Sequence, residues 1–390
     1  MDKEVLIYLY KDQLSPKGGP LGYNYNLMIQ LKLMGYKNIH FIESHSYTNS
    51  ANKKINNIKH KWLKVFFIIL KSIYKKTKTL YGLNHKAVVD LNKYDIVHFH
   101  STMDMFNAKD SLKTYKGKVI LTSHSPTLLS KEIYDRLSNF EKKYLHGLYK
   151  NLIKIDIYAF HRADFLIFPC KEAEEPYFHN WKDYEIFRKT NSHKIKYLLT
   201  GIEKCHPQVP ASEIRQKYKI PHSAFLVCYV GRHNEIKGYN QLKTIGKELL
   251  EKYPNLYFLI AGKEEPMKGI SHPRWIEAGW TNDPHSIINA SNVFILPNKE
   301  TYFDLVMLEV LSLGKIIVAS RTGGNKYFEN LNQGIKLFNT PNEAISLIER
   351  IMNSDESQRT QMENSNLSLY EQYFTSSSFA KNYIKLINSI

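Results

Sequence analysis

The fold is decided by the stretch FLVCYVGRHNEIKGYNQLKTIGKELLEKYPNLYFLIAG, residues 225–262. It opens with a short, apolar, β-branched run, Phe225–Val230, and closes with a second such run, Leu256–Ile260. Between them, the spacing of apolar residues predicts a helix over Tyr239–Tyr253. A strand, a helix and a strand in this order predict a βαβ unit with two parallel, buried strands.

The same alternation of strand and helix recurs along the whole chain. In the first half, strands are predicted at Val5–Tyr10, Ile39–Ile42, Ile96–His100, Val119–Thr122, Phe165–Phe168 and Ile195–Leu199. The second half adds strands at Val293–Leu296 and Ile316–Ala319, with helices at Asp283–Ala290 and Leu305–Leu313. This rhythm predicts an α/β protein of two Rossmann-like domains, whose parallel sheets face a central cleft.

The length of 390 residues also suits two domains. A hinge is predicted at Thr200–Ser212, because this segment holds two prolines and few apolar residues. The expected divisions are a first domain over residues 1–204, a second over 205–375, and a terminal helix over 376–390 that packs back toward the first domain.

Composition limits the compartment and the partners. The formal net charge of +17 favours an anionic partner, either nucleic acid, a nucleotide or an anionic membrane. Cys170, Cys205 and Cys228 are widely spaced and lack zinc-type spacing, which is typical of reduced cytosolic thiols. No apolar run reaches the length of a membrane-spanning helix, and the N-terminal run is too short for a signal peptide, so a cytoplasmic location is predicted.

The first of three motifs in the second half follows the strand that ends at Gly231. Arg232 and Lys237 flank the loop between this strand and the next helix. A planar guanidinium and an ammonium both suit a diphosphate. The alternative is a pair of solvated surface cations.

The second motif is PNKETYFDLVMLE, residues 297–309. Asp304 is a suitable N-cap for the helix that follows. The first free amides of that helix, on Leu305 and Val306, can bind a phosphate. Glu309 lies one to two turns further on, where its carboxylate can accept hydrogen bonds from both hydroxyls of a ribose.

The third motif, Thr322-Gly323-Gly324-Asn325, suits a tight turn that lets the backbone approach a ligand. In this order, the three motifs resemble the C-terminal domain of the family 4 retaining glycosyltransferases, which have the GT-B fold and belong to glycosyl transferases group 1. The resemblance implies that Arg232 and Lys237 neutralise the diphosphate of a nucleotide-sugar donor, and that Glu309 holds its ribose. It covers the second half well and the first half more loosely.

The sequence departs from the family where the first glutamate of the Glu-x7-Glu motif is expected. With Glu309 as the second glutamate, the first falls on Thr301 rather than on Glu300, and the usual Phe-Gly is Phe303-Asp304. In the family this glutamate contacts the transferred sugar. Either Thr301 or Glu300 is therefore expected to take that role.

Two strand ends in the first half also resemble the family. The glycine-rich stretch at 18–22, with Gly19 within it, precedes a helix expected from about Tyr23 and resembles the loop that approaches the donor. His98 and His100 share one face of a strand. The resemblance implies that His124, after the next strand, contacts the transferred sugar and the phosphate.

The resemblance implies retention without a protein nucleophile, in which the leaving diphosphate assists attack on the same face. Catalysis would then rest on positioning and charge stabilisation. No Asp-x-Asp occurs in the chain, so no metal and no other cofactor is expected. Family habit favours UDP as the nucleotide and a lipid-linked, glycan or glycoprotein acceptor.

A basic helix is predicted within Ser46–Val89, a segment that contains no acidic residue between its ends. Its apolar residues recur at helical spacing, at Ile55, Ile58, Trp62, Phe66, Ile69 and Ile73. Its lysines lie opposite, at Lys61, Lys64, Lys71, Lys75 and Lys78. We expect the apolar stripe to pack on the sheet and the Lys61–Lys78 face to bind the inner leaflet, each lysine contributing about 1 kcal/mol. A solvated helix face is the alternative.

Two other functions remain open. The altered first glutamate is also compatible with a non-catalytic GT-B subunit that supports an active transferase. A nucleic-acid binder would rest on charge alone, because no nucleic-acid-binding motif is present, and no nucleic-acid partner is expected.

Overall fold

The structure is a computed structural model. It describes residues 3–10, 14–16, 19–42, 62–63, 66–67, 69–71, 73–74, 78, 85–125, 127–135, 137, 139–144 and 146–390.

The first sheet has six strands in the order β2-β1-β3-β4-β5-β6. They are β1 (Val5–Tyr8), β2 (Ile39–Phe41), β3 (Ile96–Phe99), β4 (Lys118–Leu121), β5 (Phe165–Phe168) and β6 (Ile195–Tyr197). Neighbouring strands from β2 through β5 pair in parallel. All six strands predicted in the first half are confirmed, with ends shifted by no more than two residues.

The second sheet also has six strands, in the order β12-β11-β10-β7-β8-β9, and its neighbours pair in parallel. They are β7 (Phe225–Val230), β8 (Leu256–Ala261), β9 (Trp275–Gly279), β10 (Val293–Leu296), β11 (Ile316–Ser320) and β12 (Ile335–Phe338). β9 and β12 were not predicted from the sequence. Both are edge strands with half-buried positions, so neither forms the continuous apolar run that marks a central strand.

Helices connect the strands of both sheets. They are α1 (Gly19–Leu33), α2 (Thr102–Asn107), α3 (Lys109–Leu112), α4 (Leu129–Asp135), α5 (Asn139–Tyr144), α6 (His146–Arg162), α7 (Glu175–Asn180), α8 (Tyr184–Thr190), α9 (Ala211–Lys217), α10 (Tyr239–Lys252), α11 (Pro284–Ala290), α12 (Leu305–Ser312), α13 (Pro341–Asn353), α14 (Glu356–Tyr373) and α15 (Ser376–Ser389). Short 3-10 turns lie at Leu91–Lys93, Lys171–Glu174, Ser192–Lys194 and Gly323–Phe328. Among the described helices, none is both long and apolar enough to cross a bilayer.

The core of the second sheet fixes the helix that follows β7. Leu242, Ile245 and Leu249, at helical spacing on α10, are fully buried in a cluster with strand residues such as Val227 and Phe258. α10 therefore has one fixed orientation on the sheet. Its first turn, and the loop before it, stand at the carboxyl end of β7.

The chain forms two compact units that divide it differently from the expected domains. The first contains Met1–Leu21, Leu31–Ile167 and Tyr177–Lys196, and the second Gly22–Gln30, Phe168–Pro176 and Tyr197–Ile390. Within the second unit, Phe379 of α15 packs edge-on against Tyr23 of α1, with ring centroids 4.7 Å apart.

Two expectations about local structure are corrected. α1 begins at Gly19 and not near Tyr23, because Pro20 fits the first turn of a helix, where its missing N–H needs no partner. Trp62 and Phe66 do not pack on a sheet, since they are 69% and 52% exposed. Ile55 and Ile58, together with Lys61, Lys64 and Lys75, lie outside the described residues.

Candidate functional site

The three motifs of the second unit meet at one edge of its sheet. Lys299 N donates a hydrogen bond to Ile236 O at 2.9 Å, which joins the second motif to the first. Ser320 Oγ donates to Asn298 O at 2.6 Å, and Thr322 Oγ1 donates to Lys299 O at 3.1 Å. The loop after β10 is therefore held between the loops after β7 and β11.

Glycines permit this close approach. Gly238 has φ +66°, and a Cβ on it would lie 1.5 Å from Pro297 O. Gly323 has φ +44°, and its Cβ would lie 1.9 Å from Thr301 O. Gly323 was expected to let the backbone approach a ligand. Instead, these two make room for the neighbouring loop, and only glycine fits them.

An ion pair joins the first and second motifs. The Lys237 ammonium lies 2.7 and 2.8 Å from the two carboxylate oxygens of Asp304. Asn298 Nδ2 also donates to this carboxylate. Lys237 and Asp304 are both mostly shielded from solvent, so their attraction is less screened than that of a surface pair.

Asp304 occupies the N-cap position of α12, as predicted, with φ −78° and ψ 122°. Its side chain, however, makes no capping hydrogen bond, because it is turned to Lys237. Among the described residues, no side chain therefore caps the amides of Leu305 and Val306. Such amides, at the positive end of the helix dipole, favour an anion.

Arg232, the other predicted cation, is exposed and makes no ion pair with a described residue. Two hydrogen bonds hold the backbone of its loop. Tyr229 Oη donates to Arg232 O at 2.9 Å, and Asn234 Oδ1 accepts from Lys237 N at 2.9 Å. The guanidinium is thus available to an external anion.

A buried polar cluster that was not predicted from the sequence supports this loop. His233 is fully buried and stacks on Tyr239, with ring centroids 4.0 Å apart. Glu277 Oε1 accepts hydrogen bonds from Tyr239 Oη at 2.6 Å and Trp275 Nε1 at 2.7 Å. Burial lowers the pKa of His233 and raises that of Glu277. The residues come from three separate elements and carry no local signature, so only the fold brings them together.

Glu309 lies on α12, as predicted, with a half-buried carboxylate. His285, near the start of α11, places Nε2 3.5 Å from Glu309 Oε2. Hydrogen bonds with Cys205 and Glu309 raise the pKa of His285 to about 10, so the ring is a cation at neutral pH. His285 was not predicted, because a lone histidine without a motif gives no signal in sequence.

The two candidates for the first family glutamate differ in exposure. Thr301 is 1% exposed, and its hydroxyl has no hydrogen-bond partner among the described residues. Glu300 is only half-buried. A buried hydroxyl without a partner is costly in a folded protein, and a ligand that binds it would remove that cost.

Three histidines are stacked at the carboxyl ends of β3 and β4 in the first unit. His98 Nε2 lies 2.9 Å from Thr122 Oγ1, and His100 Nδ1 lies 2.8 Å from His124 Nε2. Burial lowers the pKa of His98 and of His124 to about 3 and that of His100 well below its ordinary value. All three are therefore neutral at pH 7. Each neutral ring has one nitrogen that donates a hydrogen bond and one that accepts.

His124 also has φ +55°, a left-handed conformation that is uncommon outside glycine. Strain of this kind collects at functional sites. Gly19, the other predicted residue of the first unit, is exposed, and a Cβ on it would meet no atom of the described residues within 4 Å. Gly19 and His124 thus belong to the first unit, and the remaining predicted residues to the second.

Two parallel six-stranded sheets of Rossmann type define the GT-B architecture, as predicted. Residues 210–367 match the family model of glycosyl transferases group 1. This segment contains all three motifs of the second unit, so the predicted resemblance is confirmed over it.

Named relatives and a solved structure agree with this match. Over 146 residues, 34% of this chain, it is 27% identical to an Escherichia coli UDP-Gal:alpha-D-GlcNAc-diphosphoundecaprenol alpha-1,3-galactosyltransferase. Over 157 residues, also 34% of the chain, it is 29% identical to a D-inositol 3-phosphate glycosyltransferase of Corynebacterium urealyticum. The matches span 38% and 37% of the relatives' own lengths. The structure of Anabaena HepE in complex with UDP and glucose covers 100% of both chains with a TM-score of 0.65 at 14% identity, which supports the fold.

Proposed function

We propose that this protein is a retaining, metal-independent glycosyltransferase that transfers a sugar from a UDP-sugar donor to an acceptor used in surface-glycan assembly. The observation that carries the proposal is the arrangement in the second unit. Lys237 lies on the loop after β7, and this loop contacts the loop after β10, which leads into the uncapped first turn of α12 and to Glu309. These are the groups that a diphosphate and a ribose require.

In this proposal, the donor diphosphate lies against Arg232, Lys237 and the amides of Leu305 and Val306. As the glycosidic bond breaks, negative charge grows on the leaving diphosphate. Cations and amides already in place stabilise that charge without reorganising. Glu309 fixes the donor through the ribose, which keeps the anomeric carbon in position for attack.

The transferred sugar contacts Thr301 of the second unit in this proposal. The buried hydroxyl of Thr301 takes the place of the family's first glutamate as a neutral hydrogen-bonding group. Glu300 is the other candidate for this role. His124, neutral and held by His100, is suited to hydrogen-bond a sugar hydroxyl or the phosphate without adding charge.

The acceptor in this proposal is lipid-linked or otherwise held at the membrane, although a glycan or glycoprotein acceptor also fits the chemistry. The name of the Escherichia coli relative describes transfer to a diphosphoundecaprenol-linked sugar. This supports an acceptor of similar type here.

The Lys61–Lys78 helix supports a peripheral location at the inner face of the cell membrane. Its described part exposes five large apolar side chains, Trp62, Phe66, Phe67, Leu70 and Tyr74. Lys71 and Lys78 belong to the same segment, and each is helical. Exposed aromatic residues beside lysines suit the boundary between anionic headgroups and acyl chains.

Co-sedimentation with vesicles tests this location. We expect binding to vesicles of anionic phosphatidylglycerol and weaker binding to neutral phosphatidylcholine, with a strong loss in Trp62→Ser/Phe66→Ser. Phe178→Ser, which removes an exposed aromatic side chain elsewhere in the protein, is the matched control. Equal binding to both vesicle types, or none to either, would reject the membrane location.

A panel of nucleotide sugars, read by thermal shift, tests the donor. A bound donor stabilises the folded state by mass action. We expect UDP-sugars to raise the Tm and Glu309→Ala to abolish the rise. If no nucleotide sugar or free nucleotide raises the Tm, the donor proposal fails.

Two observations favour a second candidate, a non-catalytic GT-B subunit. Thr301 replaces the first glutamate, and Asp304 pairs with a cation that the diphosphate needs. Against it, Arg232, Lys237 and Glu309 are all retained, which a site without function would not require. A wild-type protein that binds a UDP-sugar without turning it over would favour this candidate.

A further inference from the structure

The ribose-binding carboxylate proposed above has a neighbour of opposite charge. His285 Nε2 lies 3.5 Å from Glu309 Oε2, and the side chains are 30% and 25% exposed. The second oxygen, Oε1, contacts no polar group among the described residues. One oxygen of Glu309 is therefore tied to His285, while the other is available to a ligand.

The start of α11 holds His285 in this place. Asp283 is the N-cap, and its Oδ1 accepts a hydrogen bond from Ser286 N at 3.1 Å. Ser286 is fully buried, and its Oγ accepts from both Gln208 N and Val209 N at 2.9 Å. The residue next to His285 is thus fixed from two sides, which holds the backbone at His285 in place.

Glu309 is fixed from its own helix. Ser312 Oγ donates to Glu309 O at 2.7 Å and accepts from Cys205 N at 3.3 Å. Ser286 of α11 and Ser312 of α12 therefore hold the two helices that carry His285 and Glu309 against the same segment, residues 205–209.

From this arrangement we infer that His285 is a positioning residue, which orients the Glu309 carboxylate toward the ribose hydroxyls of the donor. The inference rests on the proposed donor role of Glu309 and goes beyond it. A carboxylate held at one oxygen presents the other in a defined direction, so it can distinguish a ribose from a 2′-deoxyribose. Without His285 the carboxylate would rotate freely. The preference for ribose over 2′-deoxyribose would then be lost, while the nucleotide would still bind.

The test measures dissociation constants by titration calorimetry for UDP and 2′-deoxy-UDP, with GDP and 2′-deoxy-GDP as a second pair. The wild type is expected to prefer the ribonucleotide by about tenfold, the effect of one hydrogen bond to a charged group. In His285→Ala the preference should fall to about twofold or less, chiefly through weaker binding of the ribonucleotide. His285→Gln, which keeps a donor but not the charge, should recover part of it.

Two comparisons separate positioning from a general structural effect. His222→Gln, at an exposed histidine, should keep the wild-type preference. A purely structural role of His285 would weaken both members of a nucleotide pair equally, which would overturn the inference. Thermal melting shows whether His285→Ala folds. If it does not, His285→Gln supplies the ratio of the dissociation constants for 2′-deoxy-UDP and UDP.

The remaining outcomes are distinct. If His285→Ala keeps the full preference while Glu309→Ala loses it, His285 does not position the carboxylate, and the proposed function stands. If the wild type binds without preference, Glu309 does not read the ribose and the inference fails. If the wild type binds none of the four nucleotides, the proposed function itself fails.

Discussion

The ammonium of Lys237 lies 2.7 Å from Oδ1 and 2.8 Å from Oδ2 of the Asp304 carboxylate. Asp304 stands where the resembling family has a glycine. One of the two cations proposed to bind the donor diphosphate is therefore already paired within the protein. A diphosphate must compete with Asp304 for Lys237, and it must also approach a fixed negative charge.

Asp304→Asn should consequently tighten the binding of UDP, by about three- to tenfold at low salt, because it frees Lys237 and removes the repulsion. Titration calorimetry measures the change. The matched control is Glu349→Gln, which removes a carboxylate from another lysine, Lys252, on α10 and should leave UDP binding unchanged. Weaker binding in Asp304→Asn would mean that Asp304 orients Lys237 instead of competing for it.

Thr301→Val removes a buried hydroxyl that has no partner among the described residues and replaces it with a group of the same shape. We expect the Tm to be unchanged or higher, since the cost of an unsatisfied polar group disappears. Turnover of the nucleotide sugar should fall by about tenfold or more, because the sugar loses a hydrogen bond.

Glu300→Gln provides the comparison for Thr301→Val. If Thr301 meets the sugar, Glu300→Gln should keep most of the wild-type turnover. The reverse result, a large loss in Glu300→Gln alone, would assign the role of the first glutamate to Glu300.

The stacked histidines of the first unit should make stability fall in acid. In the unfolded chain His98 takes a proton near its ordinary pKa of 6.5, whereas in the folded protein burial delays this until about pH 3. Between these values the unfolded state binds more protons. Stability is therefore fully present above about pH 6.5 and decreases as the pH falls toward 3, by up to about 1.4 kcal/mol per pH unit for each such histidine.

Urea unfolding between pH 7 and pH 5 measures this loss. His98→Gln should lower the dependence of the unfolding free energy on pH by about one proton. His193→Gln, at an exposed histidine, should keep the wild-type dependence. An equal dependence in His98→Gln and wild type would mean that His98 is charged in the folded protein.

Gly238→Ala tests the contact between the first two motifs. Its φ of +66° and the carbonyl of Pro297 leave no room for a Cβ, so a loss of more than about 1–2 kcal/mol is expected. Gly147→Ala is the control, because Gly147 lies in α6 and no atom of the part of the chain that the structure describes is near its Cβ position. That change should stabilise the helix by about 0.5–1 kcal/mol. Similar melting temperatures for the two variants would contradict the crowding at Gly238.

Much of the fold was predictable from the sequence. Central strands such as Phe225–Val230 are buried on both faces and therefore read as continuous apolar runs. Edge strands such as Ile335–Phe338 are not, since they expose part of one face and mix lysine with apolar residues. The basic helix was misjudged for a related reason. Periodicity identifies an apolar stripe but not what covers it, and Trp62 is exposed.

Some residues of the candidate site were predictable from the sequence and others were not. Lys237 and Glu309 were predictable because they stand at fixed spacing in motifs that resemble a known family. His285 and Glu277 were not, because each acts on a residue distant in sequence. The pairing of Lys237 with Asp304 was also not predictable, since the sequence offers Asp304 equally well as a helix cap.

The central claim is that the cations and the carboxylate of the second unit bind and activate a nucleotide-sugar donor. The most direct test is the rate at which the wild type, Lys237→Ala and Glu309→Ala release UDP from a panel of UDP-sugars. We predict measurable release by the wild type with at least one sugar, and about 100-fold slower release by both folded variants. Wild-type rates in both variants, or no release by the wild type with any nucleotide sugar, would contradict the claim.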